Sequence, residues 1–229
     1  MSEPISCIVP VHNGAAFIDQ AIESILAQTH RRFEVLVVDD GSSDDTPAIV
    51  RRFGDRVRCL RQPHAGPVAA RNLGLASTTC EHVAFLDADD LWHPRKLDRQ
   101  IARLHATPSA LICVAHVREF AAAHLPAGMP DEPEPASGGV AGYVSGAMLA
   151  RRCAFERLGP FDGRMRHAAD LDWFVRAREH GLGIAVVGEV LVYRRLHGSS
   201  LSRREADQSR REHLRVIRET LRRRRRLPA

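Results

Sequence analysis

The stretch HVAFLDADDLW, residues 82–92, decides the fold of this chain. Its four successive apolar residues, 83–86, are typical of a strand buried on both faces, as in a parallel sheet. Three carboxylates follow the run, namely Asp87, Asp89 and Asp90. Open α/β sheets bind ligands at the carboxyl ends of their strands, so this cluster is predicted to lie in a binding site and to attract a hard divalent metal. The alternative is an acidic turn that caps a helix beginning near Pro94.

Composition limits the class of protein. A chain of 229 residues has room for one large α/β domain or two small ones. No apolar run is long enough to span a bilayer and no signal peptide is present, so we expect a cytoplasmic protein without a transmembrane segment. The five scattered cysteines include no C-x-x-C pair, which argues against a disulfide framework and against a zinc site.

The net charge is +5, and much of the excess lies in the arginine run at residues 222–226. A basic terminus can bind nucleic acid or the surface of an anionic membrane, but a solvated, frayed end is the simpler interpretation. No aromatic residues are interspersed with these arginines, so nucleic-acid binding is not expected. Peripheral membrane contact through the tail stays open.

Apolar runs and helical periodicities alternate along the first hundred residues. Strands are predicted at residues 5–9 (closed by Pro10), 33–38, 57–60 and 83–86, and helices at 16–28, 44–53, from Gly66 onward, and at 95–104. This alternation predicts right-handed βαβ units on a Rossmann-like, mostly parallel sheet flanked by helices. Neither G-x-G-x-x-G nor G-x-x-x-x-G-K-[ST] occurs, which disfavours dinucleotide-binding proteins and P-loop NTPases.

The second half of the chain has a different character. Residues 121–142 are rich in Ala, Pro and Gly and predict a long loop, so residues 105–142 are interpreted as a linker or flexible loop. Strands are predicted at residues 143–150, 184–187 and 190–193, and a helix is predicted at residues 170–180. From residue 203 onward we expect a basic C-terminal helix, with Leu214, Ile217 and Leu221 on one side, that packs on the domain or on a partner.

An ordered set of motifs resembles glycosyltransferase family 2, enzymes of the GT-A fold that use nucleotide-diphospho-sugars. The motifs are VPVHNG, VVDDGSSDDT, AGPVAARNLGL and FLDADD, followed by GPFDGRM, ADLDWFVRAREHG and YRRLHGSS. The resemblance implies a GT-A domain over residues 1–202 and a tail at 203–229. Within the domain, residues 1–104 would bind the nucleotide-sugar and residues 143–202 would form the acceptor and catalytic half.

The resemblance also assigns residues to the donor site. They are Pro10, His12, Asn13, Asp39, Asp40, Arg71, Asp87, Ala88 and Asp89. Asp40 would accept a hydrogen bond from the uracil or ribose, and Arg71 would contact the base or phosphates. His12 stands where the family more often has Tyr and would stack beside the base. Taken alone, Asp39 and Asp40 would rather be interpreted as residues that stabilise a turn.

The Asp87–Asp90 cluster resembles the D-x-D element that holds Mn²⁺ or Mg²⁺ in the family. Asp89 is the implied chief ligand, Asp87 and Asp90 support it, and His197 completes the metal shell. Such an ion neutralises charge that develops on the departing nucleoside diphosphate.

Asp170 matches the position of the family's general base, which removes the acceptor proton in an inverting transfer. Asp172 is the second candidate, and Ala169 stands where the family usually has Glu. Asp170 could instead simply cap the helix that it begins. Trp173 would help to form the acceptor or sugar pocket, or else pack in the core.

The sequence therefore predicts an inverting, metal-dependent glycosyltransferase that moves a sugar from a UDP-sugar to an acceptor hydroxyl. The acceptor would be a small molecule, a peptide or a lipid-linked sugar. The alternative is a catalytically inactive GT-A domain that binds a nucleotide-sugar or a partner. A nucleotidyltransferase is disfavoured because its Gly-rich N-terminal loop with a basic residue is absent.

Overall fold

The structure, a computed structural model, describes residues 3–121, 132–136, 141–198 and 205–226. Its strands are β1 (Ile5–Val11), β2 (Phe33–Asp39), β3 (Arg58–Arg61), β4 (His82–Phe85), β5 (Leu91–Trp92), β6 (Ala110–Ala121), β7 (Met148–Arg151) and β8 (Gly183–Leu196). Its α-helices are α1 (Ile18–Leu26), α2 (Thr46–Arg51), α3 (Pro67–Ala76), α4 (Lys96–His105), α5 (Arg152–Leu158), α6 (Ala169–Glu179) and α7 (Ala206–Arg226).

The strands form one sheet in the order β3-β2-β1-β4-β7-β6-β8-β5. β1 pairs in parallel with β2 and β4, and β2 pairs in parallel with β3, which is the βαβ arrangement predicted for the first half of the chain. β7 is antiparallel to β4 and β6, whereas β6 and β8 are parallel. The predicted α/β domain with a mostly parallel central sheet and a C-terminal helix is confirmed.

Apolar side chains pack on both faces of this sheet. On β1, Ile5, Cys7 and Val9 belong to one core cluster, and Ile8 belongs to the other. Helices α1, α2 and α4 contribute to the first cluster, and α3, α5, α6 and α7 contribute to the second. Because both faces are covered, the central strands appear in the sequence as continuous apolar runs.

Helix α3 lies unusually close to the sheet because Gly74 has no side chain. A Cβ at Gly74 would clash with Ile8 of β1 and would lie 3.3 Å from Cγ2 of Val38 on β2. This close approach brings Arg71, on the preceding turn of the same helix, to the carboxyl ends of the central strands. The fold thus positions the one arginine on which the site depends.

Strand β1 continues through Pro10, which the sequence analysis takes as its end. Pro10 is paired with Val38 of β2, whereas the pairing of β1 with β4 stops at Ile8. The Ile8 carbonyl accepts a hydrogen bond from Leu86, so the polar backbone groups of Ile8 face β4. Pro10, two residues later, faces the same side, but β4 has already ended there. No ladder hydrogen bond is lost there, which is why proline is tolerated.

The second half contains more strand than the sequence patterns predict. β6 occupies residues 110–121 of the segment interpreted as linker and lies inside the sheet between β7 and β8. The two short strands predicted at 184–187 and 190–193 are one strand, β8, whose pairing with β6 has register shifts near His116. Most of the loop predicted at residues 121–142 lies outside the described residues.

The predicted basic C-terminal helix is confirmed as α7, and it packs on the domain through a different side from the predicted apolar one. Val216 is the buried residue, whereas Leu214, Ile217 and Leu221 are exposed. In the part of the chain that the structure describes, no helix combines the length and the apolar content needed to cross a bilayer.

Lys96 gives the fold a pH-dependent stability. Its side chain is completely buried, with Nζ 2.8 Å from Oε1 of Gln100 and 4.0 Å from the ring centroid of Trp92. Burial lowers the pKa of Lys96 to about 7. Above that pH the unfolded chain still binds the proton that the folded chain has lost, so the free energy of unfolding rises with pH, by up to about 1.4 kcal/mol per pH unit.

We expect Lys96→Met to remove most of this rise between pH 7 and about pH 8; the five thiols are the same in both proteins, so the difference between variant and wild type reports Lys96. Urea unfolding followed by circular dichroism at the two pH values measures the difference. Arg103→Met, an exposed change on the same helix, is the matched control and should keep the wild-type difference. Equal pH dependence in wild type and Lys96→Met would show that Lys96 is not the titrating group.

Candidate active site

A cavity of about 1370 Å³ lies at the carboxyl ends of β1 and β4. It is lined by the loops after these strands, by α3, by the first turn of α6 and by the end of β8. Pockets that hold drug-sized ligands reach about 1,000 Å³, so this cavity has room for more than one substrate. Its position agrees with the rule that open α/β sheets bind ligands at the carboxyl ends of their strands.

Asn13 ties the loops after β1 and β2 together. It has a φ of 52°, in the left-handed region that Asn tolerates better than most residues. Its backbone N–H donates to Oγ of Ser42 at 2.9 Å, and its Oδ1 accepts the N–H of Ser43 at 2.8 Å. Asp39 closes the same turn, since its Oδ1 accepts the N–H of Ser42 at 2.8 Å.

The carboxylate of Asp40 is buried and organises the loop between β3 and α3. Its Oδ1 accepts hydrogen bonds from Nε2 of Gln62 at 2.7 Å and from the N–H of Ala65 at 2.8 Å. Its Oδ2 accepts the N–H of Gly66 at 2.8 Å and lies 2.9 Å from Nδ1 of His64. A nucleotide group that bound this carboxylate would have to displace one of these donors.

Two imidazole rings stack beside Asp40. The ring centroids of His12 and His64 are 4.0 Å apart, and Nδ1 of His12 donates to the Asp40 carbonyl at 2.8 Å. Gly41 makes the arrangement possible, because its φ is 71° and a Cβ there would lie 2.9 Å from the backbone nitrogen of His64. His12 lines the cavity and presents a flat ring on which a base can stack.

Arg71 joins carboxylates from the two halves of the chain. Its Nη2 lies 2.6 Å from Oδ1 of Asp87, and its Nη1 lies 3.7 Å from Oδ1 of Asp170. The residue is only 9% exposed. Burial opposes the charged form of Arg71, but Asp87 and Asp170 outweigh that effect and raise its pKa above the ordinary value.

Asp170 lies in the first turn of α6 with its two oxygens in different surroundings. Oδ2 accepts the backbone N–H of Ser145 at 2.8 Å. Oδ1 is buried and has no hydrogen-bond partner among the described residues. The carboxylate is thus held by a hydrogen bond at Oδ2 and by the Arg71 guanidinium, 3.7 Å from Oδ1, while its side chain is still 19% exposed and lines the cavity.

Asp89 and His197 meet across the cavity. Oδ2 of Asp89 lies 2.8 Å from Nε2 of His197, although the two residues are 108 positions apart in the sequence. The His197 ring also packs against Phe17, with ring centroids 4.7 Å apart. A carboxylate oxygen and an imidazole nitrogen converge at this point, and both are common ligands of Mn²⁺.

The Asp90 carboxylate makes different contacts from the Asp89 carboxylate. Its Oδ1 accepts the backbone N–H of Arg195 at 2.9 Å, and the Arg195 Nε donates to the Asp89 carbonyl at 2.9 Å. Burial, reinforced by Asp87 and Asp89, raises the pKa of Asp90 well above its ordinary value. These contacts fit a residue that fastens the turn at Asp87–Asp89 to the end of β8.

A family model described as glycosyl transferase family 2 matches residues 6–130. These residues are more than half of the chain and include the loops after β1, β2 and β4. The chain belongs to glycosyltransferase family 2.

The chain matches only part of the length of its relatives. A Rickettsia felis glycosyltransferase is 41% identical over 42% of this chain and 16% of its own length. A Rickettsia prowazekii glycosyltransferase is 28% identical over 85% of this chain and 64% of its own length. The E. coli UDP-Glc:alpha-D-GlcNAc-diphosphoundecaprenol beta-1,3-glucosyltransferase WfgD is 40% identical over 44% of this chain and 40% of its own length. The chain therefore spans less than two thirds of each of these relatives.

Solved structures share the fold of this chain. The TarS fragment 1–349 of S. aureus, in complex with UDP-GlcNAc, matches with a TM-score of 0.72 at 21% identity, over 86% of this chain and 60% of that fragment. The mannosyltransferase PcManGT of Pyrobaculum calidifontis, in complex with GDP-Man and Mn²⁺, matches with a TM-score of 0.71 at 20% identity, over 94% of this chain and 65% of PcManGT.

Four of the residues proposed for the site do not line the cavity. Trp173 is fully buried, donates its Nε1–H to the Gly159 carbonyl at 3.1 Å and packs against Phe155. It therefore packs in the core, which is the second of the two roles considered for it. Asp172 forms an ion pair with Arg176 at 2.8 Å and does not line the cavity. Asp39 and Asp40 also support the cavity from behind its surface and do not line it.

Several contributing residues carry no signal in the sequence. Ser145 positions Asp170 through a backbone N–H, which any residue except proline provides. Gln62 and His64 become important only because the β3–α3 loop folds onto Asp40. Arg195 was part of a family motif, but only the structure shows that its guanidinium packs against Phe17 and Phe120.

Asp40→Asn tests the proposed role of this carboxylate in ordering the loop. The amide has one accepting oxygen instead of two and places N–H groups opposite donors, so we expect a loss of about 2 kcal/mol in the free energy of unfolding. Nucleotide-sugar affinity, measured by calorimetry, should fall with it. Asp45→Asn, an exposed change in the adjacent loop whose side chain makes no cap hydrogen bond, should alter neither quantity.

Proposed function

We propose that this chain is an inverting, metal-dependent glycosyltransferase that moves a sugar from a nucleotide-diphospho-sugar to an acceptor hydroxyl. The observation that carries the proposal is the convergence of three groups on one cavity: the Asp89–His197 pair, the buried Arg71, and the Asp170 carboxylate. They supply, in order, a cation site, a positive charge for phosphate and a proton acceptor.

Asp170 is the proposed general base. The Ser145 N–H and the Arg71 guanidinium hold this carboxylate at the cavity, where it would take the proton of the acceptor hydroxyl. As that proton moves, the acceptor oxygen forms a bond to the anomeric carbon. The bond from that carbon to the diphosphate breaks, and the nucleoside diphosphate leaves with the electron pair. A single displacement of this kind inverts the configuration of the sugar.

Asp89 and His197 fit a divalent cation. Mg²⁺ in nucleotide sites is held by one or two protein ligands together with phosphate oxygens, so a pair of protein ligands is enough. Among the described residues, the groups of three ligands already close together are His12–Asp40–His64 and Glu3–Glu81–His82, neither of which includes Asp89. Bound at Asp89 and His197, Mn²⁺ or Mg²⁺ would neutralise charge on the diphosphate.

A UDP-sugar is the donor that we propose. TarS was solved with UDP and with UDP-GlcNAc, and the name of the E. coli relative gives UDP-Glc as its donor. In this chain His12 offers a stacking surface for the base, and Arg71 offers a buried cation for the phosphates. PcManGT was solved with GDP-Man, so a guanine donor is the competing possibility for the assay to resolve.

A catalytically inactive domain is the second candidate, because Ala169 occupies the place where the family usually has Glu. The two candidates differ in turnover. Incubation with Mn²⁺ and a panel of UDP-, GDP- and dTDP-sugars, with and without cell-extract acceptors, should release free nucleoside diphosphate from one donor. Donor binding without any release would favour the inactive domain.

Asp89→Ala should abolish Mn²⁺-dependent donor binding. The variant removes one of two protein ligands, and we expect Mn²⁺ affinity to fall roughly tenfold or more. Calorimetry with Mn²⁺ alone, and then with UDP-sugar, measures this without relying on activity. Asp45→Ala provides an exposed carboxylate control. Unchanged Mn²⁺ affinity in Asp89→Ala would remove Asp89 from the proposed metal site.

Asp170→Asn should lower kcat by on the order of 100-fold or more while donor affinity is retained, because the amide keeps the Ser145 contact but accepts no proton. Asp172→Asn is the matched control, since its carboxylate lies two residues away and outside the cavity. Nucleoside diphosphate release and donor titration provide the two measurements. Equal turnover in wild type and Asp170→Asn is the result that rejects Asp170 as the base.

A further inference from the structure

Helix α7 presents two different sides. Val216 is buried against the second core cluster, whereas Leu214, Ile217 and Leu221 are 51%, 49% and 51% exposed. The three exposed residues are spaced three and four positions apart, so they form one apolar stripe along the helix. Apart from Tyr143 and Val144, they are the large apolar side chains that the described part of the chain leaves exposed.

A row of arginines runs beside this stripe. Arg211, Arg215, Arg218 and Arg222 are exposed and are also spaced four, three and four positions apart. At 100° per residue, this row lies next to the stripe on the side of the helix turned away from Val216. Arg215 is paired with Glu219 at 2.9 Å, while the sequence continues the basic run to residue 226.

The helix is fastened to the domain by polar contacts on its inner side. Oε2 of Glu212 accepts the backbone N–H groups of Arg166, His167 and Ala168 at 3.0, 2.7 and 3.2 Å. Although burial opposes its ionisation, these N–H groups lower the pKa of Glu212. Glu205 lies 2.9 Å from Nε2 of His167. The apolar stripe is therefore held outward by a docked helix and is not part of a frayed terminus.

We propose that α7 attaches this protein to the surface of an anionic phospholipid bilayer. The apolar stripe would enter the boundary between headgroups and acyl chains, and the arginine row would contact lipid phosphates. This combination of an apolar stripe and flanking arginines is typical of helices that lie in the membrane interface. The inference concerns binding and does not depend on the proposed transfer reaction.

The positive charge of the helix and of the chain favours an anionic bilayer over a second copy of the chain and over a nucleic acid. A second copy of the chain, itself at +5, would bring two arginine rows together around the paired stripes. A nucleic acid would use the arginines but would leave the apolar stripe exposed to water. An anionic bilayer offers acyl chains to the apolar stripe and phosphates to the arginine row. Ser209 and His213 of the same helix line the cavity, so membrane attachment would hold the active site beside the lipid surface.

Vesicle co-sedimentation of the full chain tests the proposal. We expect binding to vesicles of phosphatidylcholine mixed with phosphatidylglycerol, weaker binding to phosphatidylcholine alone, and a decline as salt concentration rises. The variant Leu214→Ser, Ile217→Ser, Leu221→Ser should reduce partitioning into anionic vesicles roughly tenfold or more. The matched control carries Met at the same three positions and should bind as wild type does.

A second pair of variants tests the arginine row. Replacing Arg211, Arg218 and Arg222 by Gln should weaken binding to anionic vesicles roughly tenfold or more, while Lys at these positions should preserve it. All these positions are exposed, and thermal unfolding should confirm unchanged folding of each variant. The donor-binding assay provides an independent check on the active site.

Three results would overturn the proposal. The first is failure of the wild-type chain to sediment with anionic vesicles. The second is equal partitioning of the Ser variant and the wild type. The third is a wild-type dimer, seen by analytical ultracentrifugation, that the Ser variant converts to a monomer while neither sediments with vesicles, which would make the stripe a self-association surface.

Discussion

The buried guanidinium of Arg71 is the constraint on which the rest of the site depends. A cation that is 9% exposed must be neutralised within the protein, because burying an unpaired charge is expensive. Asp87, after β4, and Asp170, at the start of α6, provide that neutralisation. These two residues come from different halves of the chain. Assembly of the cavity and docking of the two halves are therefore the same event.

The close packing of α3 makes this arrangement possible. Gly74 lets α3 approach β1, and Asn72 on the same helix exchanges hydrogen bonds with the backbone of Phe161 at 2.9 and 3.1 Å. Phe161 belongs to the turn that precedes α6. Helix α3 thus positions both Arg71 and the segment leading to Asp170. One helix, packed through Gly74 and bonded through Asn72, thus sets the separation between the proposed donor side and the proposed base.

The sequence predicts the first half of this fold because local and tertiary preferences agree there. Strands buried on both faces produce apolar runs, and their carboxyl ends coincide with Asp40 and Asp87. The pairing of Asp89 with His197 could be expected only from the family resemblance, since no local pattern links residues 108 positions apart. Strand β6 was missed because an Ala- and Pro-rich stretch follows it. Trp173 lies in the core because it is on the side of α6 that faces inward. Which side faces inward depends on how the helix crosses the sheet.

Helix α7 shows why one periodic pattern can support opposite interpretations. The spacing of Leu214, Ile217 and Leu221 indicates an apolar stripe, and such a stripe usually faces the protein core. Here a single buried Val216 and the carboxylate of Glu212 attach the other side instead. Glu212 binds the three N–H groups that immediately precede α6, where the helix dipole favours a negative charge. The contact that turns the stripe outward therefore also fixes the three residues that lead into the helix carrying Asp170, which joins the surface of α7 to the geometry of the cavity.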